Sequence, residues 1–177
     1  NTQICSFDYG EKALIFEVRG LPTKDFMGTK VGNIFYGTNG DIVCPSYATG
    51  IVFDKDNKEV TRFSGGGDNH HFENFCKAVR ARKPEMLNGD ILEGHLSSAL
   101  CHLGNISYRL GKDQMLSEKV AGLDEKTIEA VGRMAAHLAD NKLDASKTKV
   151  TIGRKLVMDP KTETFVNDAE AKFSLIG

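Results

Sequence analysis

The sequence has no tryptophan, few cysteines and prolines, and no excess of charge of one sign. Its 23 Lys and Arg residues against 24 Asp and Glu residues give a net charge of -1, which predicts no broad attraction for nucleic acid or acidic lipid. No stretch approaches the about 18 consecutive apolar residues of a membrane span, and the first residues lack the pattern of a signal peptide. We therefore expect a soluble protein that binds neither nucleic acid nor membrane.

Cysteine usage excludes two further classes of protein. Cys5, Cys44, Cys76 and Cys101 are widely spaced and form no C-x-x-C pair. This spacing argues against a disulfide framework and against a cysteine-rich zinc site, so we expect buried free thiols. Thiols of this kind are compatible with a cytoplasmic protein and with an exported one, and they leave the compartment open.

The length of 177 residues predicts a single domain over residues 1–177, large enough to bury roughly 70% of its extended surface. The chain does not start with methionine and alternates like a strand almost at once, which we interpret as a piece of a longer protein. Alternating apolar residues predict three β-hairpins, with strands at 5–9 and 14–18, 31–36 and 41–44, and 51–53 and 59–63. The Asn39-Gly40 pair predicts a type I′ turn in the second hairpin.

Two helices are predicted after the third hairpin. In the first, four apolar residues recur at i, i+3, i+4 and i+7, which predicts one buried stripe made of Phe72, Phe75, Cys76 and Val79. The second begins after Asp90 as its cap and ends at Gly111. Its predicted core face is a seam of Leu92, Leu96, Ala99, Leu103, Ile106 and Leu110, beside which Gly94 and Gly104 permit close backbone approach.

A third helix is predicted between Asp124, which caps it, and Asn141, with a buried stripe of Ile128, Val131, Ala135 and Leu138. Extended residues at 156–158 and 163–166 flank a D-P-K-T turn and predict a final hairpin. Strands followed by helices indicate an α+β fold, with an open, mainly antiparallel sheet and helices packed on one face.

A glycine run between the third hairpin and the first helix is the first candidate for chemistry. Gly65 and Gly67 match the first two positions of a dinucleotide fingerprint, but His70 occupies the third, and no G-K-[ST] follows. The run therefore predicts a linker and no cofactor-binding residue.

Histidines are the second candidate. His95 and His102 lie seven residues apart on the predicted second helix, about 10.5 Å by helix rise, too far to share one zinc ion. No H-E-x-x-H pattern occurs, so we predict no metal ligand. Asn69, His70 and His71 cluster at the start of the first helix, where a loop can face a cleft, and we take these three as candidate substrate-binding residues. The alternative is a helix-capping turn in solvent.

Long motifs in the two predicted helices resemble a known family. They read F-x-N-F-x-x-A-V-R-x-R-K-P at 72–84 and E-G-H-L-S-S-A-L-C-H-L-G-N-I-S-Y-R-L-G at 93–111. Shorter matches are F-E-V-R-G-L-P-T at 16–23, V-G-N-I-F-Y-G-T-N-G at 31–40 and D-P-K-T-E-T-F-V at 159–166. The chain looks like the C-terminal α/β domain of the glucose-fructose oxidoreductase, inositol dehydrogenase and MocA family, and is similar to one bacterial subgroup.

The resemblance implies an NAD(P)-dependent oxidoreductase that acts on a sugar, a cyclitol or a related polyol. An upstream Rossmann domain would bind NAD or NADP, and the second domain would shape the substrate side and form homo-oligomers. The lysine motif E-K-P and the D-x-x-x-H pair of the family have no match here. We therefore expect no catalytic residue and no cofactor in this chain, which alone would be inactive.

Two other classes remain open. A stand-alone interaction or scaffold module of the same fold would have no catalysis, and a metal-dependent hydrolase would need a composite histidine site. Apolar residues on both sides of the predicted strands indicate that helices cover one sheet face and leave the other exposed. We expect a homodimer or tetramer formed through that open face.

Overall fold

The computed structural model describes residues 2–116, 120–144 and 146–174. The strands are β1 (Thr2–Asp8), β2 (Ala13–Arg19), β3 (Asn33–Gly37), β4 (Gly40–Ser46), β5 (Thr49–Phe53), β6 (Glu59–Ser64), β7 (Lys112–Met115), β8 (Lys149–Ile152), β9 (Met158–Asp159) and β10 (Thr164–Phe165). The helices are α1 (Asp68–Ala81), α2 (Ile91–Arg109), α3 (Glu125–Asp140) and α4 (Ala169–Ser174). All strand pairs among these residues are antiparallel, which confirms the predicted α+β class.

The chain divides into two compact units. The first is formed by Asn1–Thr23 together with His95–Gly177, and the second is formed by Lys24–Gly94. The first unit contains the β1–β2, β7–β8 and β9–β10 pairs, and the second contains a four-stranded sheet in the order β3-β4-β5-β6. The strands are thus distributed over several small sheets. The assignment of residues 1–177 to one domain stays a prediction.

In the first unit, α3 packs on one face of the β1–β2 hairpin. Thr127 of α3 shares a hydrogen bond of 2.9 Å with Ser6 of β1. Further along the helix, Arg133 donates to Glu17 of β2 at 2.8 Å, and the two side chains are only 25% and 16% exposed. Because charge-assisted pairs are directional and strong when water is largely excluded, this contact fixes the helix on the strand.

The opposite face of the hairpin approaches α2. A Cβ at Gly104 would lie 3.3 Å from Cys5 Sγ, so the absence of a side chain there lets helix and strand come close. This confirms the prediction for Gly104. The same prediction is wrong for Gly94, where a Cβ would meet no atom of the described residues within 4 Å.

The C-terminal half of α2 carries the core of this unit. Ile106 is buried together with Phe165 of β10 and Ala171 of α4, and Leu103 and Leu110 pack against this cluster. The short β9–β10 hairpin and the start of α4 therefore supply the partner that this half of the predicted seam requires.

The N-terminal half of the seam is exposed. Leu92 and Leu96 are 56% and 50% exposed, so the predicted burial of these two residues is wrong. The cap is correct, because Asp90 accepts hydrogen bonds from the backbone N–H groups of Leu92 and Glu93 at 2.8 and 3.2 Å.

The buried side of α1 also differs from the prediction. Phe72, Phe75, Cys76 and Val79 are all exposed, whereas Ala78 is 4% exposed. The side chain of Asn74, one turn before Ala78, donates to Met86 O at 2.7 Å and accepts from Asn88 N at 2.9 Å. The segment after the helix thus folds back on its Asn74 side and leaves the aromatic stripe exposed.

The burial of the third helix agrees with the prediction in part. Its buried residues are Thr127, Ala130, His137 and Leu138, which confirms Leu138, and Val131 and Ala135 are half-buried. Ile128, predicted to be buried, is exposed. Thr127 is buried because its hydroxyl bonds to Ser6 on the hairpin. Polar contacts therefore decide which side of this helix faces the strands.

Asp124 caps α3 as predicted, and this cap makes stability depend on pH. Hydrogen bonds from the hydroxyl and the backbone N–H of Thr127 hold the pKa of Asp124 below its usual value. The contribution is fully present above the unfolded-state pKa of about 3.9 and is lost as pH falls through the lower folded-state pKa. As the pH falls below about 4, the free energy of unfolding, measured in urea, should decrease less for Asp124→Asn than for the parent chain, because the amide keeps the cap acceptor without titrating. If the free energy of unfolding fell equally with pH in both proteins, this role of Asp124 would be contradicted.

The sheet of the second unit has two unlike faces. Cross-strand pairing places Asn33, Phe35, Ile42, Cys44, Gly50, Val52, Thr61 and Phe63 on one side, which we call the open face. No residue of the open face is charged, and Phe35 and Phe63 are 60% and 56% exposed. The other side carries the buried Val43 together with Asp41, Glu59 and Arg62.

The turn between β3 and β4 lies one residue earlier than predicted. Gly37 pairs with Gly40, which leaves Thr38 and Asn39 as the central residues, so the assignment of Asn39-Gly40 to a type I′ turn is wrong. Gly40 has φ 141°, and a Cβ there would stand 2.1 Å from Phe53 O. Glycine is required at this position by close approach to the next strand.

Candidate functional site

The predicted substrate-binding residues lie in the first turn of α1. The helix starts after Gly67, which has φ 152° and provides no side-chain cap. Gly65 and Gly66 also have positive φ angles, of 158° and 86°. These angles favour glycine. The run connects β6 to α1, and Asn69, His70 and His71 are exposed at the helix start.

The tip of the β4–β5 hairpin lies next to this glycine run. Pro45 cannot donate a hydrogen bond to the sheet, and the β4–β5 register shifts between Val43 and Ser46. A bulge of this kind bends the strand and redirects the residues that follow it. Ser46 then pairs with Thr49, which leaves Tyr47 and Ala48 at the tip.

Two hydrogen bonds fix the tip. The backbone N–H of Ala48 donates to Ser46 Oγ at 3.2 Å, and the backbone N–H of Gly65 donates to Ala48 O at 2.9 Å. The second bond ties the hairpin tip to the glycine run. One backbone hydrogen bond therefore holds the tip to the glycine run that precedes α1.

A depression of about 740 Å³ lies between these elements, lined by Ser46, Tyr47, Ala48, Gly67 and His71. Of the three residues predicted from the sequence, only His71 lines it; Asn69 and His70 do not. The His71 ring stands edge-on to Phe72, with ring centroids 5.7 Å apart and an interplanar angle of 67°. Sequence reasoning missed Tyr47, because a residue at a two-residue turn belongs to no periodic pattern.

A second depression, of about 430 Å³, borders the same tip on the open face. Its apolar walls include Phe35 and Phe63, and its polar groups include Asn33, Thr49 and Ser64. Phe63 lies over Gly50, where a Cβ would stand 2.1 Å from the ring. The polar groups among the described residues that line the two depressions include hydroxyl, amide and imidazole groups. Such groups can bond to the hydroxyls of a ligand.

Two other histidines, His95 and His137, lie in different surroundings. His95 is within 3.0 Å of both carboxylate oxygens of Glu163, and both side chains are about half exposed. His137, which the sequence reasoning did not single out, is buried; the backbone N–H of Leu21 donates to its Nε2 at 3.4 Å. Its Nδ1 has no hydrogen-bond partner among the described residues. Neither histidine belongs to a group of three or more metal-ligating side chains in the described part of the chain.

The cysteines are free thiols, as predicted, but their burial is uneven. Cys5 and Cys44 are partly buried, while Cys76 and Cys101 are exposed, so the prediction of burial is wrong for the last two. Burial, and then the neighbouring Cys101, raise the pKa of the Cys5 thiol. A raised pKa lowers the thiolate fraction, which disfavours Cys5 as a nucleophile.

The described residues thus define an α+β chain with antiparallel sheets and one polar corner beside an uncharged sheet face. No protein-family model, curated protein or solved structure matches the chain. None of the helices described in residues 2–174 is long and apolar enough to cross a membrane.

Proposed function

We propose that this chain is the C-terminal, substrate-side and oligomerisation domain of an NAD(P)-dependent dehydrogenase that acts on a sugar, a cyclitol or a related polyol. The observation that carries the proposal is the pair of long motifs at 72–84 and 93–111. These segments encode most of α1 and all but the first two residues of α2. In this proposal an upstream Rossmann domain binds NAD or NADP and supplies the catalytic groups.

The candidate site supports a binding role over a catalytic one. Hydride transfer to a nicotinamide requires a cofactor cleft and a group that moves the alcohol proton. His71 is an exposed imidazole beside the hydroxyl-bearing side chains of Ser46 and Tyr47. Such a corner can hydrogen-bond a substrate hydroxyl, and the proton transfer is left to residues outside this chain.

Homo-oligomerisation is the second part of the proposal. The open face is uncharged, and its two phenylalanines are more than half exposed. An isologous dimer brings the same surface of two copies together, so an uncharged face meets itself without like-charge repulsion. Burial of apolar area stabilises such a contact by about 25 cal/mol per Å² before the costs of association.

A stand-alone interaction or scaffold module is the alternative. It is favoured by the exposed aromatic stripe of α1, since Phe72, Phe75 and Val79 form an apolar surface on one helix. A metal-dependent hydrolase has less support, because the described residues hold no group of three metal-ligating side chains. A cofactor assay separates the dehydrogenase from both alternatives.

This chain alone is expected to bind neither NAD nor NADP, because it lacks the glycine fingerprint. Isothermal titration calorimetry of the 177-residue chain should give no heat of binding with either nucleotide. The product of the whole reading frame should bind one of them and reduce it when a polyol is added. Micromolar binding by this chain, or a whole protein that reduces neither nucleotide with any of a panel of sugars and cyclitols, would contradict the proposal.

A further inference from the structure

Tyr47 is more exposed than any other large apolar side chain in the described residues, at 106% of the reference value. It occupies the hairpin tip beside His71 and borders both depressions. A tyrosine ring offers on the order of 200 Å² of contact area. Water thus covers the whole of a large, flat and mostly apolar surface at the rim of the candidate site.

The backbone that carries Tyr47 is held in place. Ser46 Oγ accepts from Ala48 N on one side of the tip, and Ala48 O accepts from Gly65 N on the other. Only the two side-chain torsions of Tyr47 are left to be ordered by a ligand, so contact with this ring costs little conformational entropy. The tip is therefore a preorganised platform.

The chemistry around the ring selects the kind of ligand. The polar groups that line the depression beside the ring include the Ser46 hydroxyl and the His71 imidazole. An aromatic face packs on the C–H face of a saturated ring, while hydroxyl and imidazole groups bond to hydroxyls at the ring edge. Neutral rings that carry both surfaces are sugars and cyclitols.

We propose that Tyr47 is a positioning residue of the candidate site, on which a neutral sugar or cyclitol ring stacks with its edge toward His71. The class of substrate comes from the proposed function, on which this proposal rests. The new part is that Tyr47 binds the substrate. Its location is independent of the motifs, because residues 46–49 lie outside the segments that carry the family resemblance.

Saturation-transfer NMR on the 177-residue chain, with myo-inositol and D-glucose as probes, tests this placement directly. Irradiation of aromatic protons should transfer saturation to the probe C–H protons in the parent chain and in Tyr47→Phe, which keeps the ring. The transfer should fall by about fivefold or more in Tyr47→Ala. Tyr9→Ala is the matched control, since Tyr9 is another exposed tyrosine, in the other unit, and its loss should change nothing.

Two results would overturn the placement: no transfer from the parent chain to either probe at millimolar concentration, or equal transfer in Tyr47→Ala and the parent. Circular dichroism of Tyr47→Ala should match the parent, because the ring makes no buried contact. The proposed function fails separately. Probe binding that depends on Tyr47, in a whole protein without dehydrogenase activity, would keep this site and refute the enzyme. Dehydrogenase activity together with probe binding that does not depend on Tyr47 would keep the enzyme and refute this site.

Discussion

Replacing Phe165 by alanine is expected to lower the free energy of unfolding by about 3–5 kcal/mol. Phe165 is 1% exposed and packs in the cluster formed by α2, β9–β10 and α4. Truncation of the ring removes apolar area from that cluster and leaves a cavity which the short β9–β10 pair can fill only in part. Because small proteins are stabilised by about 5–15 kcal/mol in total, the change is a large fraction of the whole.

Urea unfolding at fixed protein concentration measures this effect, and Val166→Ala is the matched control. Val166 is the next residue along the chain and is 44% exposed, so its truncation should cost less than about 1 kcal/mol. A fixed concentration is needed because self-association makes stability concentration-dependent. A loss below about 1 kcal/mol for Phe165→Ala would show that this cluster is not the core of the unit.

Replacing Phe35 by lysine is expected to dissociate the proposed homodimer or tetramer into monomers. Phe35 lies on the open face and is 60% exposed, and in a symmetric dimer the substitution acts in both copies. An unpaired ammonium group at the centre of an apolar interface costs several kcal/mol, so the dissociation constant should rise by at least about 100-fold. Light scattering at micromolar concentration gives the mass of both proteins.

Tyr36→Lys supplies the control for this experiment. Tyr36 follows Phe35 in β3, points to the opposite face and pairs across the strands with Asp41, which can accept the new charge. The mass of the Tyr36→Lys variant in solution should equal that of the parent protein. A monomeric parent, or a folded Phe35→Lys variant with unchanged mass, would remove the open face as the oligomer surface.

Local signals in the sequence predicted the local features of the fold. The caps at Asp90 and Asp124 were correct because each depends on a hydrogen bond to an N–H group two or three residues away. The hairpin that ends in Phe165 followed from a proline turn between two extended segments in the same way. These features need no knowledge of distant residues.

Burial of the helices could be predicted only in part, because it depends on what distant segments cover. Ile106 and Leu92 belong to one seam on α2, yet Ile106 is buried under β10 and α4 while Leu92 is exposed. On α1, the return of the chain to Asn74 decided which side is buried. Periodicity identifies the apolar side of a helix, and the tertiary structure decides how much of it is used.

The candidate site shows the same limit. His71 could be singled out because histidines at a helix start after a glycine run are an unusual local pattern. Tyr47 could not, because its position depends on the bulge at Pro45 and on the bond from Gly65 to Ala48. The bond joins residues 48 and 65, which no motif in the sequence connects.

Sequencing the reading frame upstream of the codon for Asn1 tests the proposed function most directly. We expect a Rossmann domain with a G-x-G-x-x-G turn after its first strand and an E-K-P lysine, followed by a D-x-x-x-H pair ahead of this chain. A reading frame that starts immediately before Asn1 and encodes no nucleotide-binding domain would contradict the dehydrogenase and leave the stand-alone module.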